Sequence, residues 1–268
     1  MKWILALLTC ISLNSCITTT IPEMHYSVAQ NVPLLTQKGE ARFSAATGTE
    51  GTGVQAAYAF SKSWAVMGSY SEGIDEIWPP GLIGDAGYSN DNRRSGELAI
   101  GYFHPIATKG VFEIYGGVER YYRSFSEDWF PEGYPNSRVT STNVTKPFVQ
   151  VDFGLINLRK HSFGLSLKLG LLVYDHFSNI VTLSDTTGKQ TTTSNSYDIR
   201  SALVVEPCFT YRVGGKHLSF QAQAGFSFTN SQLNTINSGS TLSEPFFFNV
   251  GLSVRLFKDM NNNIKKAE

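Results

Sequence analysis

Long stretches in which apolar and polar residues alternate are the feature that most constrains how this chain can fold. In 161–174, apolar side chains occupy every second position from Phe163 to Val173, and small or polar residues lie between them. The stretches 216–229 and 245–257 show the same alternation. Successive side chains of a β-strand point to opposite faces, whereas a helix would distribute such neighbours around its axis. The pattern therefore predicts an all-β protein.

Ten strands are predicted from Gly39 onward. Most of them reach the length of about nine to eleven residues that a tilted strand needs to cross a membrane. The predicted strands occupy 39–48, 52–60, 63–71, 94–103, 110–122, 144–156, 161–174, 199–212, 216–229 and 245–257.

The connections between these strands are short at one end and long at the other. The short ones are 61–63, 104–109, 157–160 and 213–215, and the long ones are 72–93, 123–143, 175–198 and 230–244. Outer-membrane barrels combine short periplasmic turns with long external loops. The sequence thus predicts a single antiparallel up-and-down transmembrane β-barrel of about ten strands. An even strand number places both ends of the barrel on the periplasmic side.

The composition of the two faces separates this prediction from a soluble, lipocalin-like barrel, which is the structural alternative. A water-facing stripe should be rich in Lys and Glu. Only 16% of the residues are charged, against about a quarter in soluble domains. Aromatic residues near strand ends are expected to form the girdles of a membrane barrel, and these are Tyr70, Tyr102, Tyr115, Tyr121, Tyr122, Tyr174, Phe209 and Tyr211.

The first residues have the pattern of an export signal. One positive charge at Lys2 precedes the apolar stretch Ile4–Leu13, which is too short to span a membrane. Leu13-Asn14-Ser15-Cys16 resembles the lipobox of bacterial lipoproteins, which implies cleavage before Cys16 and acylation of that residue, palmitate included. The Thr-rich and Pro-interrupted residues that follow show no period. They are interpreted as a tether whose lipid enters the periplasmic leaflet.

These features divide the chain into four parts. They are a lipoprotein signal peptide at 1–15, a lipidated tether at 16–38, the barrel at 39–258 and a polar tail at 259–268.

The segment Asn31–Glu40, continued by Gln55–Phe60 and Ala65–Met67, resembles the opening of small outer-membrane barrel lipoproteins common in Bacteroidota. The resemblance extends loosely to Phe257. That family has no assigned activity, so the resemblance implies a fold and a location but no functional residue.

Charged residues of both signs are predicted on the inner face of the barrel. They are Glu40, Arg42, Glu97, Glu113, Glu119, Asp152, Lys168, Arg200, Glu206, Arg212 and Arg255. Ten strands enclose little space, and an unpaired interior charge is costly. The favoured interpretation is a paired, hydrogen-bonded filling, and the alternative is a narrow channel or carrier for small solutes.

One local cluster could contribute to catalysis. In Tyr174–Asn179, His-x-Ser followed by Asn resembles the catalytic segment of outer-membrane lipid A deacylases, which would make Ser178 the nucleophile and His176 the base. The acid nearest in sequence is Asp185.

A second enzymatic alternative is an outer-membrane protease. It would pair Asp175 and His176 with Asp75–Glu76 or Asp85. Adjacent residues of a strand point to opposite faces, so Asp175 and His176 would converge only at a bulge.

The leading functional hypothesis is a non-enzymatic, structural or surface-interaction protein of the outer membrane, lipid-anchored through Cys16. Its expected partners are outer-membrane lipids, the barrel-insertion machinery, and a saccharide or protein at loop segments such as Ile77–Pro80 and Trp129–Pro131. Lys plus Arg and Asp plus Glu both number 22, so there is no basic excess for nucleic acid. Scattered histidines predict no metal site, and no cofactor is expected. Cys208 is the one cysteine of the barrel, so no disulfide framework is expected.

Overall fold

The computed structural model describes residues 24–77, 88–106, 109–129, 136–157, 160–184, 187–197, 200–229 and 246–257. All regular secondary structure in these ranges is β-strand, and no helix there is long and apolar enough to cross a bilayer. The strands are β1 (Ala41–Gly48), β2 (Gly51–Tyr58), β3 (Trp64–Ile77), β4 (Tyr88–Ile106), β5 (Gly110–Trp129), β6 (Asn136–Asn157), β7 (His161–Ser184), β8 (Gln190–Tyr197), β9 (Arg200–Gly214), β10 (Leu218–Phe226), β11 (Phe228–Thr229) and β12 (Phe246–Leu256).

These segments form one closed, antiparallel barrel. Strands β1 to β7 pair in sequence order, and β12 pairs with both β10 and β1, which closes the sheet. At two places in the wall, two segments share the position of one strand. β9 pairs with the first part of β7 and β8 pairs with its last part, so β8 and β9 together form one strand position. β10 and β11 both pair with β9 and together form another. Over the described residues the wall therefore has ten strands, as the alternation predicted.

The strands on one side of the barrel are much longer than the sequence pattern indicated. β5, β6 and β7 have 20, 22 and 24 residues, whereas β1 and β2 have 8 each. Much of the predicted loops 72–93, 123–143 and 175–198 is paired strand. The prediction of long loops there is wrong because polar side chains on both faces conceal the strand period once a strand leaves the membrane.

We call this protruding sheet the outer ribbon; it comprises 72–77, 88–94, 122–129, 136–143, 176–184 and 190–197. At about 3.3 Å per residue, β7 is about 80 Å long, well beyond the nine to eleven residues or so that span a membrane. The predicted loop 230–244 lies outside the described residues.

The two faces of the wall differ as the alternation predicted. Leu165 and Phe220 are 62% and 68% exposed on the outside, while Lys168 and Gln221 on the opposite face are almost completely buried. The predicted girdle needs correction: Tyr115, Tyr121 and Tyr174 are buried inside. They have the same sequence parity as the inward Glu113, Glu119 and Lys168, so the alternation itself directs them inward.

The residues before β1 fill the lumen. From Met24 to Leu35 nearly every side chain is buried, and Lys38 and Gly39 are exposed at the end with the short turns. We call 24–36 the inner segment. Within the described residues this contradicts the tether interpretation of 16–38: the sequence there lacks a period because it packs on all sides inside a barrel, not because it is solvated.

Candidate functional site

The inner segment runs through the barrel from the end with the outer ribbon to the end with the short turns. At the ribbon end, Met24 packs against Phe125 of β5 and Phe177 of β7. At the turn end, Thr36 donates a hydrogen bond to Glu40, and Arg255 near the end of β12 donates to both of them. The segment therefore crosses the barrel once, in the direction opposite to β1.

Aromatic and charged groups surround Tyr26 near the ribbon end. Its ring meets that of Tyr121 edge-on at 5.3 Å between centroids. The guanidinium carbons of Arg93 and Arg123 lie 5.6 and 5.8 Å from the Tyr26 ring centre. Both arginines also pair with buried Asp91. This arrangement combines cation–π attraction with a neutralising ion pair.

A chain of buried charges crosses the lumen below this layer. Lys168 Nζ donates to Glu97 and lies 3.5 Å from Glu119 Oε2. Lys146 Nζ lies 2.8 Å from Glu119 Oε2 and 2.9 Å from Glu206 Oε2. Three carboxylates and two ammonium groups thus alternate, so each charge has an opposite neighbour.

His25 of the inner segment extends this chain. Its Nε2 lies 3.5 Å from Glu206 Oε1 and 2.6 Å from Ser227 Oγ, and its Nδ1 lies 3.1 Å from the Tyr121 hydroxyl. Both ring nitrogens therefore have partners in the wall, so His25 fixes the segment as well as filling space.

Amide side chains join the middle of the segment to the wall. Gln30 Nε2 donates to the Glu206 carbonyl at 2.7 Å, and the Gln30 carbonyl accepts from Gln223 at 2.8 Å and Gln55 at 3.1 Å. Asn31 Nδ2 donates to the carbonyls of Ala56 and Gly68 at 2.8 and 3.0 Å. Apart from a single bridge at Tyr26 the segment has no strand pairing, so it satisfies its polar groups through these contacts.

Glu113 of β5 holds the segment where its backbone turns. The carboxylate accepts hydrogen bonds from the backbone N–H of Leu34 at 2.9 Å and of Leu35 at 2.6 Å. Leu34 has a φ of 53°, a left-handed conformation that costs energy in a residue other than glycine. Two hydrogen bonds to consecutive amides offset that cost.

Two inward glycines form a recess for the same turn. Gly154 of β6 and Gly164 of β7 are paired across their strands. A Cβ at Gly154 would lie 2.4 Å from Leu34 Cδ2, and one at Gly164 would lie 3.1 Å from Val32 Cγ1. Larger residues at these two positions would occupy the space of the inner segment.

The lumen that the described residues enclose has little free space. A gap of about 20 Å³ lies beside Val28, Ala29 and Gln55, and one of about 40 Å³ lies at the turn end beside Arg42 and Arg212. A larger groove of about 750 Å³ lies on the outside of the wall, next to Phe43, Val54 and Leu98. The gaps inside are too small for a continuous path for solutes.

Most of the predicted interior charges are where the alternation placed them. Glu40, Arg42, Glu97, Glu113, Glu119, Asp152, Lys168, Glu206, Arg212 and Arg255 are all buried. The side chain of Arg200 lies outside the description. Lys146 was missed, although it has the sequence parity of Asp152, and Asp91, Arg93 and Arg123 were missed because the outer ribbon was assigned to loops.

Glu50 is the buried carboxyl of the β1–β2 turn, outside the strands. Asn249 Nδ2 donates to its Oε1 at 2.9 Å, and its Oε2 has no hydrogen-bond partner. Burial raises the pKa of Glu50 to about 7, against the opposing effect of the Asn249 hydrogen bond.

The proposed catalytic pair lies on the outside of the barrel. His176 is exposed and Ser178 half-buried, on the same face of β7, while Phe177 between them is buried. The register shifts here, because Val144 pairs with Tyr174 and Asn143 with His176. The bulge therefore exists, and it turns both Asp175 and His176 outward rather than towards the lumen.

The acids that the two enzymatic alternatives require lie mostly outside the described side chains. Asp85 and Asp185 lie outside the described residues, and of Asp75 and Glu76 only the backbone is described. Asp175 accepts a hydrogen bond from Thr145 Oγ1 at 2.8 Å. No metal-binding group of three or more His, Cys, Asp or Glu occurs in the described ranges. The deacylase and protease hypotheses stay predictions.

The outer ribbon exposes polar side chains together with the apolar Val139, Ile180 and Leu183. Gln190 to Ser194 of β8 are exposed, and Arg94 pairs with Glu72 at 2.9 Å on the surface. Two residues of the predicted aromatic contact segments are the last residues of strands: Ile77 ends β3 and Trp129 ends β5. The side chains of these two residues are not described. The rest of both segments, 78–80 and 130–131, lies outside the described residues. Cys16 and the predicted signal peptide also lie outside them.

No protein-family model and no curated protein sequence matches this chain. Solved barrels show a low similarity. A major outer membrane protein from Thermus thermophilus is 14% identical, with a TM-score of 0.35 over 81% of this chain and 99% of that one. CarO of Acinetobacter baumannii is 10% identical, with a TM-score of 0.35 over 81% and 97%. OmpT of Vibrio cholerae is 9% identical, with a TM-score of 0.20 over 84% and 100%.

At such TM-scores the similarity carries no argument about function, and the class of this chain follows from its own wall and lumen. The outward face is apolar, the inward face is charged and paired, and the described strands close into a ring through the β12–β1 and β7–β9 pairings. These are the properties of an outer-membrane-type β-barrel. Its distinguishing feature is a lumen filled by its own N-terminal residues.

Proposed function

We propose that this chain is a closed outer-membrane barrel lipoprotein, anchored through Cys16, with a structural or surface-interaction role and no channel or enzymatic activity. The observation that supports the closed state is the inner segment. It occupies the lumen from Met24 to Thr36 and is hydrogen-bonded to the wall along its length. A passage for solutes would require the whole set of contacts to break.

The outer ribbon supports the surface-interaction part of the proposal. A barrel that served only to fill the membrane would need strands of about ten residues, but β4 to β7 have 19 to 24. Their extensions offer Ser, Thr and Asn side chains, which form the neutral hydrogen bonds suited to a saccharide or a protein surface. The outer ribbon therefore replaces the predicted loops as the proposed contact surface.

Planar-bilayer recordings of the purified, detergent-folded protein test the closed state. We expect no conductance steps, at either polarity, from protein whose gel mobility shifts on boiling, a shift that marks a folded barrel. Regular conductance steps from that material would contradict the proposal.

A second experiment tests the anchor and the location. In fractionated cells the protein should be in the outer membrane, and it should incorporate a radioactive palmitate precursor that Cys16→Ala fails to incorporate. Cys10→Ala, within the predicted signal peptide, is the matched control and should remain labelled. Equal labelling of the wild type and Cys16→Ala would contradict lipidation at this residue.

A further inference from the structure

The direction of the inner segment has a topological consequence. β1 begins at the turn end of the barrel, where Ala41 pairs with Leu256. The residues immediately before β1 run through the lumen to reach it. Met24, at the start of this segment, therefore lies at the ribbon end beside Phe125 and Phe177. In a barrel with short turns in the periplasm, the ribbon end faces the outside of the cell.

We infer that the inner segment threads the N-terminus through the barrel, so that the residues before Met24 are displayed on the cell surface. For the lipid, this inference rests on the proposed function: acyl chains on Cys16 would enter the outer leaflet of the outer membrane. The sequence-based expectation was the periplasmic leaflet, because both ends of the barrel itself are periplasmic.

The length of the chain decides between the two leaflets. Met24 lies eight positions after Cys16 (24 − 16 = 8), and a fully extended chain of eight residue steps reaches at most about 30 Å. A bilayer with its headgroups is about 40–45 Å thick. Cys16 can therefore reach the outer leaflet from the ribbon end but cannot reach the periplasmic leaflet around the wall.

The filled lumen leaves no space for the residues before Met24 to pass through it to the turn end. Glu113 holds Leu34 and Leu35, the recess at Gly154 and Gly164 holds the turn, and Gln30 and Asn31 are bonded to opposite parts of the wall. The free gaps of about 20 and 40 Å³ could not admit a second strand of chain. The residues before Met24 therefore have no return path through the lumen.

Cysteine labelling in intact cells tests the threading. Two variants of the full chain are compared, Thr20→Cys before the inner segment and Lys38→Cys after it, where Lys38 is exposed at the turn end. The probe is a maleimide that does not cross the outer membrane. The parent chain gives the background, since Cys208 is buried.

We expect Thr20→Cys to be labelled in intact cells and Lys38→Cys only after the outer membrane is permeabilised, a difference of about tenfold or more in intact cells. Labelling of Thr20→Cys only after permeabilisation would overturn the threading. So would labelling of Lys38→Cys in intact cells, because the turn end would then face outward.

Lipidation of Cys16 is measured separately from the threading. Palmitate incorporation with Thr20→Cys accessible outside supports both the threading and the surface anchor. A parent chain that lacks palmitate but reacts with the maleimide at Cys16 in intact cells would confirm the threading and contradict the lipid anchor. Failure of the inference and failure of the proposed lipidation therefore give different results.

Discussion

Single residues of the wall fix the inner segment, and Glu113 does so through two hydrogen bonds to its backbone. Its carboxylate accepts from two consecutive backbone amides that are completely buried. A buried donor that loses its acceptor costs about 1–3 kcal/mol. Glu113 therefore contributes more to the free energy of unfolding than an exposed ion pair, which contributes about 0–1 kcal/mol.

Glu113→Ala should lower the free energy of unfolding by about 2–5 kcal/mol, because it leaves two buried amides without an acceptor. Glu113→Gln should cost less, since an amide oxygen can still accept. The measurement is guanidinium unfolding of the folded barrel in detergent micelles. Glu127→Ala is the control on the same strand, since Glu127 makes only a 3.9 Å pair with Arg138 near the surface. Equal losses for Glu113→Ala and Glu127→Ala would contradict the role of Glu113.

Glu50 gives the fold a dependence on pH. Its pKa is raised to about 7, so between pH 5 and 7 the folded state holds a proton that the unfolded state has released. Stability should therefore fall as the pH rises through this range. The loss from pH 5 to pH 8 should be larger in the wild type than in Glu50→Gln, by up to about 3 kcal/mol. Identical pH dependence of unfolding in the two proteins would show that Glu50 does not titrate in this way.

At the scale of elements, the inner segment and the wall fit by shape as well as by hydrogen bonds. Leu34 occupies space that exists because two paired positions of β6 and β7 are glycine. Cores filled this closely do not tolerate added volume easily. The recess therefore sets where along the lumen the turn of the segment lies.

Gly154→Leu should displace the inner segment, since even a Cβ at this position would lie 2.4 Å from Leu34 Cδ2. The displaced segment should become a substrate for chymotrypsin at Tyr26 or Leu35 in micelles, while the wild type resists. Gly116→Leu is the matched control, because a Cβ there meets nothing within 4 Å on the outward face. Resistance of Gly154→Leu equal to that of Gly116→Leu would mean that the recess does not position the segment.

The strands were predictable from sequence wherever one face is in lipid. Leu165 is exposed on the outer face and Lys168 is buried on the inner face. Where apolar outward residues alternate with polar inward residues in this way, the sequence identifies both the strand and its two faces. The outer ribbon was not predictable in this way. Thr191, Thr192, Thr193 and Ser194 of β8 are all exposed, so consecutive residues have the same polar character and no period remains.

At the scale of the whole molecule, the filled lumen could not be found by periodicity. The inner segment makes no strand ladder, and its polar residues such as His25, Gln30 and Asn31 are as deeply buried as its apolar ones, because the segment meets wall on every side. The sequence did contain one signal: a solvated tether with this many large apolar residues would expose them to water, which is unfavourable. The paired interior charges were predictable, but the chain they surround was not.

A designed disulfide tests most directly whether the inner segment lies in the lumen. Val32→Cys and Gly164→Cys are introduced together with Cys208→Ser, because a Cβ at Gly164 lies 3.1 Å from Val32 Cγ1. The control pairs Val32→Cys with Leu165→Cys, one residue further along the same strand on the lipid-facing side. After mild oxidation in outer-membrane preparations, mass spectrometry should find the cross-linked peptides from 32 and 164 and none from 32 and 165. Equal cross-linking of the two pairs, or no cross-link to Gly164→Cys in folded protein, would contradict a lumen filled by its own N-terminal segment.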